Sequence, residues 1–514
     1  MKASRPCALV AALFAFAGCA RIAASWRAFS YTFDEPAHIA AGMEWLDRGV
    51  YRYEDQHPPL ARAAAALLPW LSGQRSQGNP NMWEEGRLIL AAAPDNRNLT
   101  LARAGTLPFF LIACAGLYAL ASRLFDPRTA AGSVAFFSLL PPILGHAGLA
   151  TTDMALTAGI AVALPALLSW LRAPSPARAM LLGAATAFAI LCKFSALPFL
   201  PAATAGMLLP LLATRPTLLR RTRWKHLGEL ALAACVAALL IWATYHFSVG
   251  RVRGTGPIRP APEFWAGLKS VRWHNRTGQL SFLMGRTSQL GFFWFYPVCI
   301  ALKTQIAWLL FVGAGIAGLH QDRRMLSALG LSLGILAAAM AFGHINLGIR
   351  HILPVYLGFS IVASAALQSM LRHRATTVLA TLAGLWLLAS TTVAHPNYLA
   401  YFNEFAADHP ERFLIDSDLD WGQDVLRLQN RLAAVHAESV AVLPFASSPH
   451  GIALTPFSLD SPSPGWNAAD ITPLTLQTLA ARARDPKRTF WFERLPPERI
   501  GQGILLWYAP AASH

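Results

Sequence analysis

The stretch CALVAALFAFAGCARIAASWRAFSYTFDEPAH, residues 7–38, is an apolar run that ends on two adjacent acids, Asp34 and Glu35. The apolar part, about 7–29, is long enough to cross the roughly 30 Å hydrocarbon core as a helix. A carboxylate at a membrane boundary must keep water, a cation or a proton, so two in a row at the mouth of a span point to use. Further apolar runs follow at about 104–122, 129–150, 154–171, 179–194, 196–213, 226–247, 290–318, 325–342, 352–371 and 375–394. The reading is an all-α polytopic membrane protein of about eleven transmembrane helices.

Composition agrees. Apolar residues make up 54% of the 514 and charged residues 14%, against roughly 25% charged in an average soluble domain. Mean hydropathy is +0.39. The formal charge of +16, from 43 Lys and Arg against 27 Asp and Glu, gathers in short loops between spans. That distribution argues against nucleic acid and for positive-inside topology. With Lys2 and Arg5 placed inside, the inner loops hold Arg123 and Arg128; Arg172 and Arg178; Arg215, Arg220, Arg221, Arg223 and Lys225; Arg323 and Arg324; Arg372 and Arg374. Each is short and basic. The N-terminus is then cytoplasmic and the C-terminus extracytoplasmic. Lys193 interrupts the apolar stretch 179–213, which reads as a tight hairpin of two spans.

Three polar regions share the outer face: a first loop of about 31–103, a second of about 249–289, and everything after about 395. The chain divides into a transmembrane unit, 1–394, and a tail, 395–514. The tail alternates strand-like pieces (Phe413–Ile415, Val440–Phe445, Ile504–Tyr508) with helical ones (Gly422–Val435, Pro473–Arg484), which predicts a small α/β extracytoplasmic domain. All six cysteines lie in apolar segments without a CxxC, so neither a disulfide framework nor a zinc site is suggested. No Walker loop, dinucleotide fingerprint or HExxH is present.

Candidate chemistry sits on the outer side. Asp34 or Glu35 could cap a surface helix ahead of Pro36, but a cap needs one acid; either could instead take a proton from an attacking hydroxyl or amine. Asp153 stands at the outer turn of the fourth span, behind Thr151 and Thr152. Lys193, in the hairpin, and Lys303, within the eighth span, are the opposing cations. Arg350 and His351 open the tenth span, and arginine suits a phosphate through its paired donors. His57, stiffened by Pro58-Pro59, and His38, one turn after Asp34, complete the set. Acids facing cations across one outer cavity suit a substrate that is both phosphorylated and hydroxylated. Asp416-Ser-Asp418-Leu-Asp420 fails as a calcium loop, because Trp421 and Arg427 stand where glycine and glutamate are required; capping by Asp418 or Asp420 is the better account.

FDEPAHIAAG (33–42), EDQHPPLARAAAALLP (54–69), TTDMALT (151–157), LCKFSALPFLP (191–201), FYPVCIALKT (295–304) and NLGIRHILPVY (346–356) occur in this order. The series resembles the polyprenol-phosphate-dependent glycosyltransferases of the membrane GT-C superfamily. It is similar in particular to the bacterial family 39 type, related to protein O-mannosyltransferases and the lipid A aminoarabinose transferase. The tail string YLAYFNE…DSDLDWGQD resembles a bacterial subgroup. The resemblance implies Asp34 as catalytic base, Asp153 as a second acid, and Lys193, Lys303 and Arg350 as holders of the lipid phosphate. It implies a sugar donor on undecaprenyl phosphate, inversion at the anomeric carbon, an acceptor that is protein, lipid or glycan, and a place in the bacterial inner membrane. Some relatives carry a divalent ion near the acids; no ligand spacing here requires one. The rival reading is a transporter or flippase for a phosphorylated lipid or anion.

Overall fold

The computed structural model describes residues 4–214, 226–319 and 322–510. The basic cluster Arg215, Arg220, Arg221, Arg223 and Lys225 lies outside the described residues. Among those described, seven helices are long and apolar enough to cross a membrane, from Arg5–Ala28 to Arg374–Val393, and two bent helix pairs raise the number to nine. Two more of the anticipated segments are helices of shorter length, Pro176–Cys192 and Val355–Met370. The protein is a multi-pass, all-α membrane bundle with a small sheet domain at its C-terminal end.

Helix lengths follow the breakers. Ser175 caps Pro176–Cys192, accepting from the Arg178 N–H, and Lys193 ends that helix in extended conformation before Ala196–Thr214 begins. The predicted hairpin is therefore present. Two segments read as straight spans are broken. Pro127–Ser138 and Pro141–Ala147 meet at 70°, because Pro141 and Pro142 lack N–H groups and Leu140 before them is extended. Phe295–Lys303 and Ile306–Ala317 meet at 115°. The carbonyls freed at that break are taken up: Asn403 Nδ2 donates to Ala301 and Thr304. Irregular backbone is tolerated at this depth because it is buried in protein.

Small residues let the helices touch. A Cβ added to Gly206 would lie 1.9 Å from the carbonyl oxygen of Gly330, and one on Gly330 would lie 2.1 Å from that of Gly206. Ala196–Thr214 and Arg324–Phe342 thus cross backbone to backbone, the contact small residues permit in lipid.

The first outer loop forms three helices, Glu35–Arg48, Pro59–Leu71 and Met82–Ala91, laid over the bundle end. Pro59–Leu71 buries Arg62, Ala65 and Ala66 on its inner face. The second outer loop carries the hairpins β1 (Val249–Arg251) with β2 (Ile258–Pro260) and β3 (Ser281–Leu283) with β4 (Arg286–Ser288) around helix Pro262–Thr277.

The tail holds a five-stranded sheet in the order β6-β5-β7-β9-β8, with β5 (Ser439–Leu443) parallel to β6 (Ala453–Pro456) and β7 (Gly465–Asp470). β9 (Ile504–Ala509) runs antiparallel to β7 and to β8 (Glu498–Ile500). Helices Val425–Ala434 and Ile471–Arg484 complete it. Phe413–Ile415 is not a strand: the Phe413 carbonyl accepts from Met284 N–H at 2.9 Å, which ties it to the second outer loop and not to the sheet. Before the sheet, the segment 416–424 dips onto the bundle. Its Trp421 and Gln423 carbonyls accept from Phe33 and Ser30, each at 3.0 Å. That contact builds the site.

Candidate functional site

Four charged side chains from four separate segments line up at the outer end of the bundle. Asp34 sits at the N-cap of Glu35–Arg48 but makes no capping hydrogen bond. Its Oδ2 accepts from Arg350 Nη1 at 3.0 Å, and its side chain stays 28% exposed. Arg350 Nη1 is also 3.8 Å from Asp153 Oδ2. Asp153, 1% exposed, accepts from Lys193 through its other oxygen. The capping account of Asp34 therefore fails: the carboxylate turns away from its helix and toward a cation.

The tail holds Arg350 in place. Arg350 Nε donates to Ser417 Oγ at 3.0 Å, and its guanidinium lies 4.2 Å over the Trp421 ring. Asp418 Oδ1 accepts the Ile349 N–H at 3.0 Å, anchoring the turn that carries Arg350. Asp418 thus braces the bundle and caps no helix of its own. Asp420 does not cap the helix that follows it, whose N-cap is Asp424; it accepts from Gly422 N–H at 3.1 Å and from Thr472 N–H at 3.0 Å, tying the segment to the start of Ile471–Arg484.

Other anticipated residues are placed differently. Glu35 is fully buried and faces away from Asp34. Arg103 grips it with two 2.8 Å hydrogen bonds, and the N–H groups of Thr32 and Ala150 add bonds at 2.8 and 2.9 Å. Burial pushes this carboxyl up, but Arg103 and the backbone donors outweigh it and hold it below the usual range. All its lone pairs are spent on structure, so Glu35 locks the first loop onto helix Arg97–Leu124.

Lys303 is equally occupied. Its ammonium, with no exposure, donates to the Leu399 carbonyl at 2.9 Å and to the Asp418 carbonyl, and lies 4.3 Å over the Phe402 ring. The bend after Lys303 delivers it to the tail and not to a phosphate cavity.

The histidines form a second tier. His38 Nδ1 accepts from Arg62 Nε at 3.0 Å, and His57 Nδ1 lies 3.2 Å from Glu54 Oε2; the two rings meet edge to face, 5.2 Å apart. Arg62 pairs with Glu54 and donates to Tyr51 Oη at 3.0 Å. Burial, then Arg62, drives His38 well below its ordinary value. His351 is held well below for the same reason, burial reinforced by Arg350 and Lys193; its Nδ1 lies 3.2 Å from the Ile345 carbonyl.

Sequence reasoning missed Arg62, Arg103, Glu54 and Trp421. The two arginines carried a usable signal, since Arg62 is the one charge in helix Pro59–Leu71, Arg103 sits just ahead of the apolar run of helix Arg97–Leu124, and both are 1% exposed. Trp421 carried none, because its partner is 71 positions away in the chain. It also missed His146, buried with both ring nitrogens unpartnered, and Asp153 Oδ2 shares that lack of a hydrogen-bond partner. Among the described residues no three His, Cys, Asp or Glu side chains converge as a metal cage.

Residues 96–242 match the family model described as dolichyl-phosphate-mannose-protein mannosyltransferase. No curated protein matches the chain. The structure of ArnT from Cupriavidus metallidurans bound to undecaprenyl phosphate superimposes with a TM-score of 0.51 at 14% identity, over 96% of this chain and 97% of that one. The archaeal oligosaccharyltransferase AglB from Archaeoglobus fulgidus, in complex with an inhibitory peptide and a dolichol-phosphate, gives 0.47 at 14% identity, over 88% of this chain and 62% of its own. The chain thus resembles that mannosyltransferase model across 96–242 and has an ArnT-like fold across nearly its whole length.

Proposed function

We propose that this chain is an integral membrane glycosyltransferase that moves a sugar from a polyprenyl phosphate to an acceptor at the end of the bundle bearing Asp34. The observation that carries the reading is the series Asp34, Arg350, Asp153, Lys193, in which a partly exposed carboxylate adjoins cations held by a buried one. The mannosyltransferase match and the ArnT-like fold support it. The basic turns support an extracytoplasmic position for this face, and the reading takes the membrane to be a bacterial inner membrane and the donor's lipid to be undecaprenyl phosphate, as the family resemblance implies.

Asp34 is the catalytic base. It takes the proton of the acceptor hydroxyl or amine as that atom forms its bond to the anomeric carbon. The bond from that carbon to the phosphate oxygen breaks on the opposite side, so configuration inverts. The electron pair leaves on polyprenyl phosphate, where Arg350 and Lys193 stabilise the developing charge. Asp153 keeps both cations aimed, and Glu35, His38 and His57 hold the loop that carries Asp34.

The deciding assay uses purified protein in detergent with a synthetic sugar-phosphate polyprenol and an envelope extract as acceptor. Release of free polyprenyl phosphate that depends on Asp34 supports the reading. Movement of intact lipid between leaflets with no glycosidic bond broken overturns it in favour of a flippase.

A further inference from the structure

The far end of the bundle holds a second cluster of cations that the proposed reaction does not use. Asp153 and Arg172 lie at opposite ends of one helix, 20 residues long. At about 1.5 Å per residue that is roughly 30 Å, the depth of the hydrocarbon core. Arg123 ends helix Arg97–Leu124, Arg172 ends Asp153–Arg172, and Arg324 begins Arg324–Phe342. The three surround a cleft whose remaining walls are leucines, among them Leu168 and Leu211.

We propose that this cleft binds the phosphate of an anionic phospholipid in the leaflet opposite Asp34. The guanidinium groups are fixed in advance. Arg123 donates from Nε to Ser169 Oγ at 3.1 Å and from Nη1 to the Ala119 carbonyl at 2.8 Å. Arg172 donates to the Arg123 carbonyl. Arg324 pairs with Asp322 at 2.6 Å and stacks 4.9 Å from the Phe125 ring. Nη2 of Arg123 and Nη1 of Arg324 donate to nothing among the described residues, so donors remain for a ligand.

Charge selects an anion. Two of the arginines are held by neutral oxygens and only Arg324 by an acid. The other nearby acid, Asp126, spends its carboxylate on the N–H groups of Arg128 and Thr129. Asp322 is also within reach of Arg372, so cations outnumber the acids Asp322 and Asp126 around the cleft, which favours an anion such as a phosphodiester. Arginine presents the planar fork that phosphate oxygens accept, and basic pockets between spans on one membrane face bind such headgroups. The leucine walls select the lipid form over free phosphate, since acyl chains continue into them. Snorkelling alone would send each arginine separately to water; here three helices bring theirs to one cleft.

The test is native mass spectrometry of the full chain in detergent, titrated with phosphatidylglycerol or phosphatidylcholine, with and without inorganic phosphate. The proposal expects phosphatidylglycerol to be retained at least about tenfold more than phosphatidylcholine. It expects Arg123→Gln with Arg324→Gln to abolish that preference, and millimolar phosphate to leave it intact. Equal retention by wild type and double variant overturns it, as does displacement by phosphate, which would mark a soluble-anion site. Should the double variant fail to fold, a photoactivatable phosphatidylglycerol on wild type decides. Labelling of peptides holding 123, 172 or 324 supports the site, and labelling confined to other peptides overturns it.

Discussion

Arg350 Nη1 lies 3.0 Å from Asp34 Oδ2, across 316 positions of sequence. The pair joins the first outer loop to the turn that opens a late span, and the tail closes over it through Ser417 and Trp421. Three regions far apart in the chain thus meet at one guanidinium.

The base comes first. Asp34→Asn keeps the volume and the hydrogen bond to Arg350 but cannot accept a proton. Transfer should fall by about 10²–10⁴-fold, the usual worth of a positioned base. Thermal midpoint and membrane insertion should be unchanged; release of free polyprenyl phosphate is the readout. Full activity in this variant would remove Asp34 from the chemistry.

Arg350 is asked to stabilise the leaving phosphate. Arg350→Gln should lower turnover by about 10²–10³-fold, as losing one oxyanion donor does. Arg350→Lys should recover only part of that, because an ammonium cannot serve Asp34, Ser417 and the Trp421 face together. A lysine variant with wild-type turnover would show that charge alone matters there.

Glu35 should behave oppositely to Asp34. Glu35→Gln leaves Arg103 charged and buried without its partner, a change worth about 3–5 kcal/mol of stability. Expression and thermal midpoint in detergent should drop. Adding Arg103→Gln should restore much of the loss, and a double-mutant cycle measures the coupling. A stable but inactive Glu35→Gln would instead place this acid in the reaction.

Stability should also depend on pH through the tail. Burial, opposed by Arg350, pushes the Asp416 carboxyl up to about 7, and burial also raises Asp420 and Asp470. Between about pH 4 and 7 the folded state keeps a proton that the unfolded state has released, so stability falls as pH rises through this window and levels off above it. These carboxyls favour pH 5 over pH 8 while the buried His38 and His351 favour the reverse, so the readout is the difference in pH dependence between wild type and Asp416→Asn. Asp416→Asn should remove the Asp416 share of that dependence and raise the midpoint at pH 8.

Much of the architecture was legible from periodicity and loops. Apolar run length reports the spans, because lipid satisfies no backbone group and each crossing must be a self-contained helix. Basic turns report which ends lie together: Arg123, Arg172 and Arg324 converge as the loop pattern implies. Asp34, Asp153, Lys193 and Arg350 were visible as charges at membrane depth, where a charge is costly unless paired or used. The two bends were not legible as such, although Pro141-Pro142 marks one of them.

What sequence alone determined, then, is the membrane-spanning class, the segments that cross, and the short set of charges worth attention. Only tertiary structure decided the division of labour among them. Asp34 and Glu35 are neighbours with similar side chains, yet one meets Arg350 at a partly open surface and the other is sealed against Arg103. Lys193 and Lys303 look alike in apolar strings, yet one faces Asp153 and the other is consumed by tail carbonyls. A charge's role depends on its partner and its access to water, and both come from segments 40 to 316 positions away, which no local pattern encodes.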